Sequence, residues 1–327
     1  MLASQKARHM RLIEGLDTLL ALDLTASSGE SLQSRSVVAV GVFDGVHLGH
    51  QRLLHQLLEM SSTLQAVPTV VTFANHPDQV LHGKAPPLLV SVPHRLRLLR
   101  RAGVQRLVLL QFDARLQNMD PREFAERVLV QSLRARGLLL GYDSALGKDR
   151  AGTPQCFREI GGELGFEVHT GAPFEVDGQP VSSTAIRAAI SGGDLALAHR
   201  YLGRFPGAFG EVVHGDARGR GLGFPTANLA TLAAVLPPPG VYAVEAIVDG
   251  ATFPAVANLG TRPTFAAGSH GVTLEVHILD FDRDLYGREL EVTFRQRLRA
   301  ERRFANAAAL REQIEADVAA ARTHFGA

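Results

Sequence analysis

Two histidines three residues apart, His47 and His50, stand inside the decapeptide GVFDGVHLGH, residues Gly41 to His50. An apolar run, Val37-Val38-Ala39-Val40, precedes it, and a helical pattern from Gln51 to Leu58 follows. A strand running through a glycine turn into a helix start offers unpaired backbone N–H groups at the positive end of a helix dipole, which attracts phosphate. Glycines at 41, 45 and 49 let a ligand approach the backbone closely. The spacing puts both imidazoles on one helical face, where they could stabilise charge developing on phosphorus. Two other readings stay open. One is a purely structural strand–helix turn. The other is a metal site, for which only His55 and His76 could complete the roughly four ligands a closed zinc site needs.

Three further constellations carry chemistry. Val181–Arg187, VSSTAIR, puts three hydroxyls and a guanidinium at a predicted helix start. They suit either a helix cap or a polyphosphate clamp. Gly215–Asn228, GDARGRGLGFPTAN, combines four glycines and two arginines with Thr226 and Asn228. In an extended segment those two oxygen-bearing side chains face one way, and magnesium favours hard oxygen ligands supplemented by water and phosphate. The alternative is a polar hairpin. Glu275 lies in a predicted strand whose alternation puts Thr273, Glu275 and His277 on one face and Leu274, Val276 and Ile278 on the other. On composition alone that polar face reads as solvated. Gly141–Asp149 imitates a Walker A loop but fails: five residues separate its glycines instead of four, and Asp149 stands where Ser or Thr belongs.

The elements that must position these residues fall into two blocks. Over the first 190 residues, strands predicted at Val37–Phe43, Thr69–Phe73, Arg106–Gln111, Leu138–Leu140 and Glu167–His169 alternate with helices. The helices are predicted at His50–Met60, Pro93–Arg101, Pro121–Arg134, Pro154–Leu164 and Thr184–Ser191. Such alternation implies a doubly wound parallel α/β sheet, with ligands beyond the carboxyl ends of its strands. The expected domains are 1–200 and 201–327. In the second, short β-rich runs at Gly210–His214, Val241–Val248, Thr252–Leu259, Val272–Leu279 and Leu290–Phe294 imply an antiparallel barrel or sandwich. A terminal helix is expected at Asn306–Ala321, with residues 310, 314, 318 and 319 on its packed face.

Composition narrows the classes. The 327 residues are 46% hydrophobic, and 34 basic residues nearly balance 33 acidic ones. That charge balance gives no nucleic-acid or membrane footprint. The arginine clusters 95–101 and 297–303 read as solvated faces. The one cysteine, Cys156, permits no internal disulfide and suits a reducing cytoplasm. No run approaches the roughly 18 apolar residues of a bilayer span. The opening nonapeptide MLASQKARH lacks the apolar stretch of a secretory leader, and Met10–Ile13 reads as the start of a strand.

Taken together, these residues resemble the bacterial bifunctional riboflavin kinase/FMN adenylyltransferase (FAD synthetase) family, from about Met10 to the C-terminus. GVFDGVHLGH is similar to its nucleotidyltransferase turn, SSTAIR to its second phosphate motif and HGDARGRGLGFPTANL to its kinase signature. NLGTRPTF (258–265), LEVHILDF (274–281), LYGREL (285–290) and LRAERRF (298–304) fit as well. Two places depart from the family pattern. Asn75 replaces a proline in Thr72–Pro77, and Ser144 and Leu146 replace phenylalanines around Asp143.

The resemblance implies a nucleotidyltransferase domain followed by a kinase barrel. Riboflavin, FMN, FAD and ATP would be substrates and products, with Mg2+ as cofactor. It implies small-molecule partners, neither nucleic acid nor membrane, with room for a transient oligomer. In the kinase half, Glu275 would be the base and Thr226 and Asn228 would hold Mg2+. Gly215, Arg218, Gly219, Gly221 and Pro225 would cover the nucleotide. In the other half, His47 and His50 would stabilise the pentavalent phosphorus. Gly41, Phe43, Asp44 and Gly45 would line the turn, and His76 and Asp143 would meet flavin or nucleotide. Ser182, Ser183, Thr184 and Arg187 would hold the leaving phosphates. Two rivals remain: a kinase whose N-terminal half has changed its acceptor, and a flavin-binding regulator without turnover.

Overall fold

The computed structural model describes residues 10–21, 34–142, 144–215, 221–230, 234–263 and 270–326. Asp143, Arg218 and Gly219 therefore lie outside the described residues. The chain divides into two compact units, Met1–Pro86 with Arg95–Val181, and Pro87–His94 with Ser182–Ala327.

The first unit is built on a six-stranded parallel sheet in the order β1-β4-β3-β2-β5-β6. Its strands are β1 (Arg11–Glu14), β2 (Ser36–Val40), β3 (Val67–Phe73), β4 (Arg106–Leu110), β5 (Ala135–Leu140) and β6 (Glu167–Thr170). Strands covered on both faces need apolar residues throughout, and β2 is buried along its whole length. Helices α1 (Leu16–Leu20), α2 (Leu48–Thr63), α3 (Asp78–Leu81), α4 (Val92–Arg101), α5 (Ala114–Asn118), α6 (Pro121–Glu123) and α7 (Pro154–Leu164) connect the strands. After β4 the chain returns to the other side of β2, so strand order reverses there. A ligand crevice is expected at that reversal.

One helix differs from its prediction. Asp120 caps α6 with Pro121 at its first position, but Phe124–Ser132 continues as a π-helix. Its wider turn places Phe124, Ala125, Val128, Leu129 and Ser132 in the core together. The Ser132 hydroxyl donates to the Arg127 carbonyl five residues back, at 2.8 Å.

The second unit carries α8 (Ser183–Gly192), α9 (Leu195–Leu202) and a closed antiparallel barrel. The barrel strands are β9 (Gly207–Val213), β10 (Ala227–Leu229), β11 (Gly240–Val248), β12 (Ala251–Pro263), β13 (His270–Ile278) and β14 (Glu289–Arg299). Leu229, Tyr242, Val244, Leu259, Leu274, Val276 and Phe294 fill its interior.

The terminal helix runs Ala307–Phe325, with Asn306 as its N-cap. Ala321 packs on Val241, Ala243 and Val256, joined by Val318, whereas Ala319 is exposed. Arg299, expected on a solvated face, instead grips Asp317 of this helix. Its Nε reaches both carboxylate oxygens at 3.0 and 3.1 Å, and Nη2 reaches Oδ2 at 2.8 Å. Gln313 adds a bond of 2.7 Å to Asp317, which is 5% exposed. Asp317→Ala would strand a guanidinium that is itself largely enclosed. It is expected to cost about 3–5 kcal/mol, read as a lower midpoint in chemical denaturation.

Candidate active sites

In the first unit β2 ends at Val40, and the Gly41 N–H donates to the Val71 carbonyl at 3.1 Å. The turn then doubles back through left-handed backbone at Phe43 (φ 52°), Gly45 (φ 76°) and Val46 (φ 42°). Phe43, Asp44 and Val46 are buried. His47 caps α2, its Nδ1 accepting the His50 N–H at 3.4 Å. The two rings stack with centroids 3.7 Å apart and planes 20° from parallel, on one face as their spacing predicts. Gly49 makes room for the stack: a Cβ there would lie 3.2 Å from the His47 ring.

Enclosure, then the neighbouring His47 and Arg95, hold the His50 pKa well below the usual histidine range. His50 is therefore a neutral imidazole at pH 7, with a single N–H donor. Among the described residues its Nδ1 is buried without a hydrogen-bond partner.

Arg100 and Arg101 are exposed as expected of their cluster, but Arg95 is not. It is 1% exposed, donating from Nη1 to the Val42 carbonyl at 2.9 Å and from Nη2 to the Phe73 carbonyl. Asp44 interacts electrostatically with it. Periodicity could have signalled this burial, because His94, Arg95, Leu98 and Leu99 form one buried stripe.

Beside the turn opens a cavity of about 730 Å³. Gly41, Phe73, His76, Phe112, Leu146 and Ser144 contribute to its wall, so both departures around Asp143 fall on this lining. His76 Nδ1 lies 3.2 Å from the Asp78 N–H and 3.6 Å from the Asp78 carboxylate. The third departure, Asn75, is a clamp. Its Nδ2 donates to the Phe112 carbonyl and its Oδ1 accepts the Phe112 N–H, both at 2.8 Å. Phe112 meets Phe73 edge-on at 5.7 Å, so the carboxamide fixes the aromatic wall between the ends of β3 and β4. A proline could make neither bond. Asn75→Ala removes both. It is expected to cost about 1–3 kcal/mol, read as a lower midpoint in chemical denaturation.

The hydroxyl motif belongs to the second unit by the division above. Ser182 is the N-cap of α8, its Oγ accepting the Ala185 N–H at 3.2 Å, so the capping reading holds for this residue. Ser183 and Thr184 occupy the first turn, and Arg187 Nε donates to the Pro87 carbonyl at 2.7 Å.

In the barrel, β10 lies between β9 and β13. Asn228 is directly opposite Glu275, and on the other side of β13 Glu275 is opposite Asn258 of β12. Opposed residues share a sheet face, so the three form a polar row. Leu274 and Val276 face the core, as alternation predicts. Asn258 was missed in the sequence because its relation to Glu275 exists only across strands. Gly215 is packed against this row: a Cβ there would lie 2.2 Å from Asn228 Nδ2. His277 Nδ1 donates to the Pro225 carbonyl at 2.8 Å and so ties the Pro225–Asn228 segment to β13. A second cavity, about 560 Å³, is lined by Pro225, Thr226, Phe281 and Tyr286 among others. Gly221 and Pro225 are exposed.

The donor set fits magnesium rather than a protein-caged ion. Thr226 and Asn228 offer hard oxygens, and the described residues hold no cluster of three or more His, Cys, Asp or Glu that could bind a metal. Such an ion would draw its remaining ligands from water and phosphate.

A phosphate turn at the reversal of a parallel sheet, followed by a barrel bearing a carboxylate–carboxamide row, defines a two-site enzyme of phosphate-group transfer. Family models agree: that for FAD synthetase matches residues 29–185, and that for riboflavin kinase matches residues 202–325. A bifunctional riboflavin kinase/FMN adenylyltransferase of Pseudomonas fluorescens is 41% identical over 88% of this chain and 92% of its own. The one from Escherichia coli K12 is 38% identical over 97% and 98%. A solved structure described as a macrolide-efflux protein from Streptococcus pneumoniae superposes with a TM-score of 0.76. It is 32% identical and covers 88% of this chain and 94% of its own. No described helix of this chain is long and apolar enough to cross a membrane. The chain belongs to the bifunctional riboflavin kinase/FMN adenylyltransferase family.

Proposed function

We propose that the two activities of the family are divided between the two motif sets, with an adenylyltransferase domain at 1–200 and a kinase domain at 201–327. The enzyme phosphorylates riboflavin to FMN with ATP, then adenylylates FMN with a second ATP to give FAD and pyrophosphate. The observation that carries the division is that the stacked histidines and the Asn228–Glu275–Asn258 row belong to separate compact units.

In the kinase step Glu275 takes the proton from the riboflavin 5′-hydroxyl as that oxygen attacks the γ-phosphorus of ATP, and ADP leaves. Thr226 and Asn228 would hold Mg2+, which would supply charge neutralisation on the transferring phosphates. Gly215, Arg218, Gly219, Gly221 and Pro225 enclose the nucleotide. Positioning supplies most of the remaining acceleration.

In the adenylyl step the FMN phosphate, already ionised, attacks the α-phosphorus of ATP and expels pyrophosphate, so no base is required. The N–H groups of His47 and His50 stabilise the charge at phosphorus. Gly41, Phe43, Asp44 and Gly45 shape the turn. The 730 Å³ cavity, with His76 on its wall, takes the isoalloxazine. Its apolar and aromatic lining suits a flat ring system. The substrates, the single cysteine and the absence of a spanning helix among the described residues suit a cytoplasmic enzyme.

Incubating the chain with riboflavin, ATP and magnesium and separating the products tests the whole reading. FAD supports it, FMN alone would mean a changed N-terminal acceptor, and unchanged riboflavin would mean a binding protein.

A further inference from the structure

We propose that Arg95 is the positioning residue beneath the adenylyl-transfer site, fixing the phosphate turn by neutralising the carbonyl ends of two adjacent strands. This rests on reading the Gly41–His50 turn as that site.

The carboxyl edge of a parallel sheet points carbonyl oxygens, with their negative dipoles, towards the place where the ligand binds. A polyphosphate arriving there would be repelled. The Arg95 guanidinium covers two of these oxygens, Val42 and Phe73. Val42 also accepts the Thr72 hydroxyl at 3.0 Å, so the strand end carrying the turn is held by two donors. A planar fork can span neighbouring strands, whereas an ammonium is a point donor. Arg95 remains cationic when buried, and in a low dielectric its charge attracts an anion strongly. The charged or titratable groups acting on His50 are His47 from the turn and Arg95 from α4, and Asp44 acts on Arg95 in turn. The buried cation thus helps keep the His50 ring neutral.

The test uses full-length R95M, R95K and H50A, each assayed for FAD formation from FMN across pH. Circular dichroism melts of the same preparations serve as the folding control, and riboflavin phosphorylation as the control for the second unit. R95M is expected to lower kcat/KM for FAD formation about 100-fold. It should also move the acid limb of the profile to higher pH, because without the cation His50 takes up its proton at higher pH. R95K keeps the charge and should leave the limb in place, yet lose about tenfold because it cannot bridge both carbonyls.

R95M at a near wild-type rate overturns the proposal, and so does a loss of rate with the limb unmoved, which marks a packing role alone. If R95M does not fold, R95K decides: a tenfold loss supports the proposal and a wild-type rate overturns it. Full FAD synthesis by H50A would instead remove the site reading on which the proposal rests.

Discussion

Glu275→Gln is expected to lower riboflavin phosphorylation by about 10²–10⁴-fold, while FMN is still converted to FAD at the wild-type rate. The substitution keeps the size and shape of the side chain. It also keeps the backbone pairing of β13 with β10 and β12, so the barrel stays folded. What disappears is the one acceptor in the row that can carry a proton away: Asn228 and Asn258, directly opposite on either side, are amides and cannot. Product analysis starting separately from riboflavin and from FMN checks this. Near-normal FMN formation would return Glu275 to the solvated role its strand composition suggested. Equal loss of both conversions would show that the two activities are not separable.

The second large effect is at His50. His50→Ala is expected to reduce FAD formation by about 10²–10³-fold, with FMN accumulating from riboflavin. The acid side of the wild-type profile carries a related signature. Because the folded-state pKa of His50 is depressed, the neutral ring persists as pH falls past about 6.5, the ordinary histidine value. Its contribution is lost only at the lower, depressed pKa. FAD formation measured between about pH 5.5 and 8 should therefore show no histidine-like limb centred near 6.5. A limb there would mean that His50 titrates as a solvated imidazole.

Much of this was readable in the chain. The parallel strands announced themselves as Val- and Leu-rich runs, because strands buried on both faces admit little else. The His47–His50 stack followed from spacing and a helix start, both local properties. The side-chain partners of Arg95 and Arg299 were not readable, because an arginine on an amphipathic helix or strand end looks solvated until a carbonyl or carboxylate from elsewhere meets it. Asn75 looked like a loss against the family pattern, and its compensation depends on Phe112, a residue 37 positions away. Asn258 became visible only once strand register was known. The split of Pro121–Arg134 into an α-turn and a π-helix turned on which residues the core required, and apolar periodicity alone blurs 3.6 into wider turns.

The position of β1 has a consequence for synthesis. It pairs with β4, Arg11 opposite Arg106, so its ladder partner among the described residues is translated almost a hundred residues later. At about 5–20 residues per second, β1 waits roughly 5–20 s after its own synthesis before that pairing edge exists. The barrel hairpins β11–β12 and β12–β13 instead join neighbours in sequence and can close as they emerge. During that wait the nascent β1 segment lacks this edge, the interval in which a chaperone or a misfolding partner would find it.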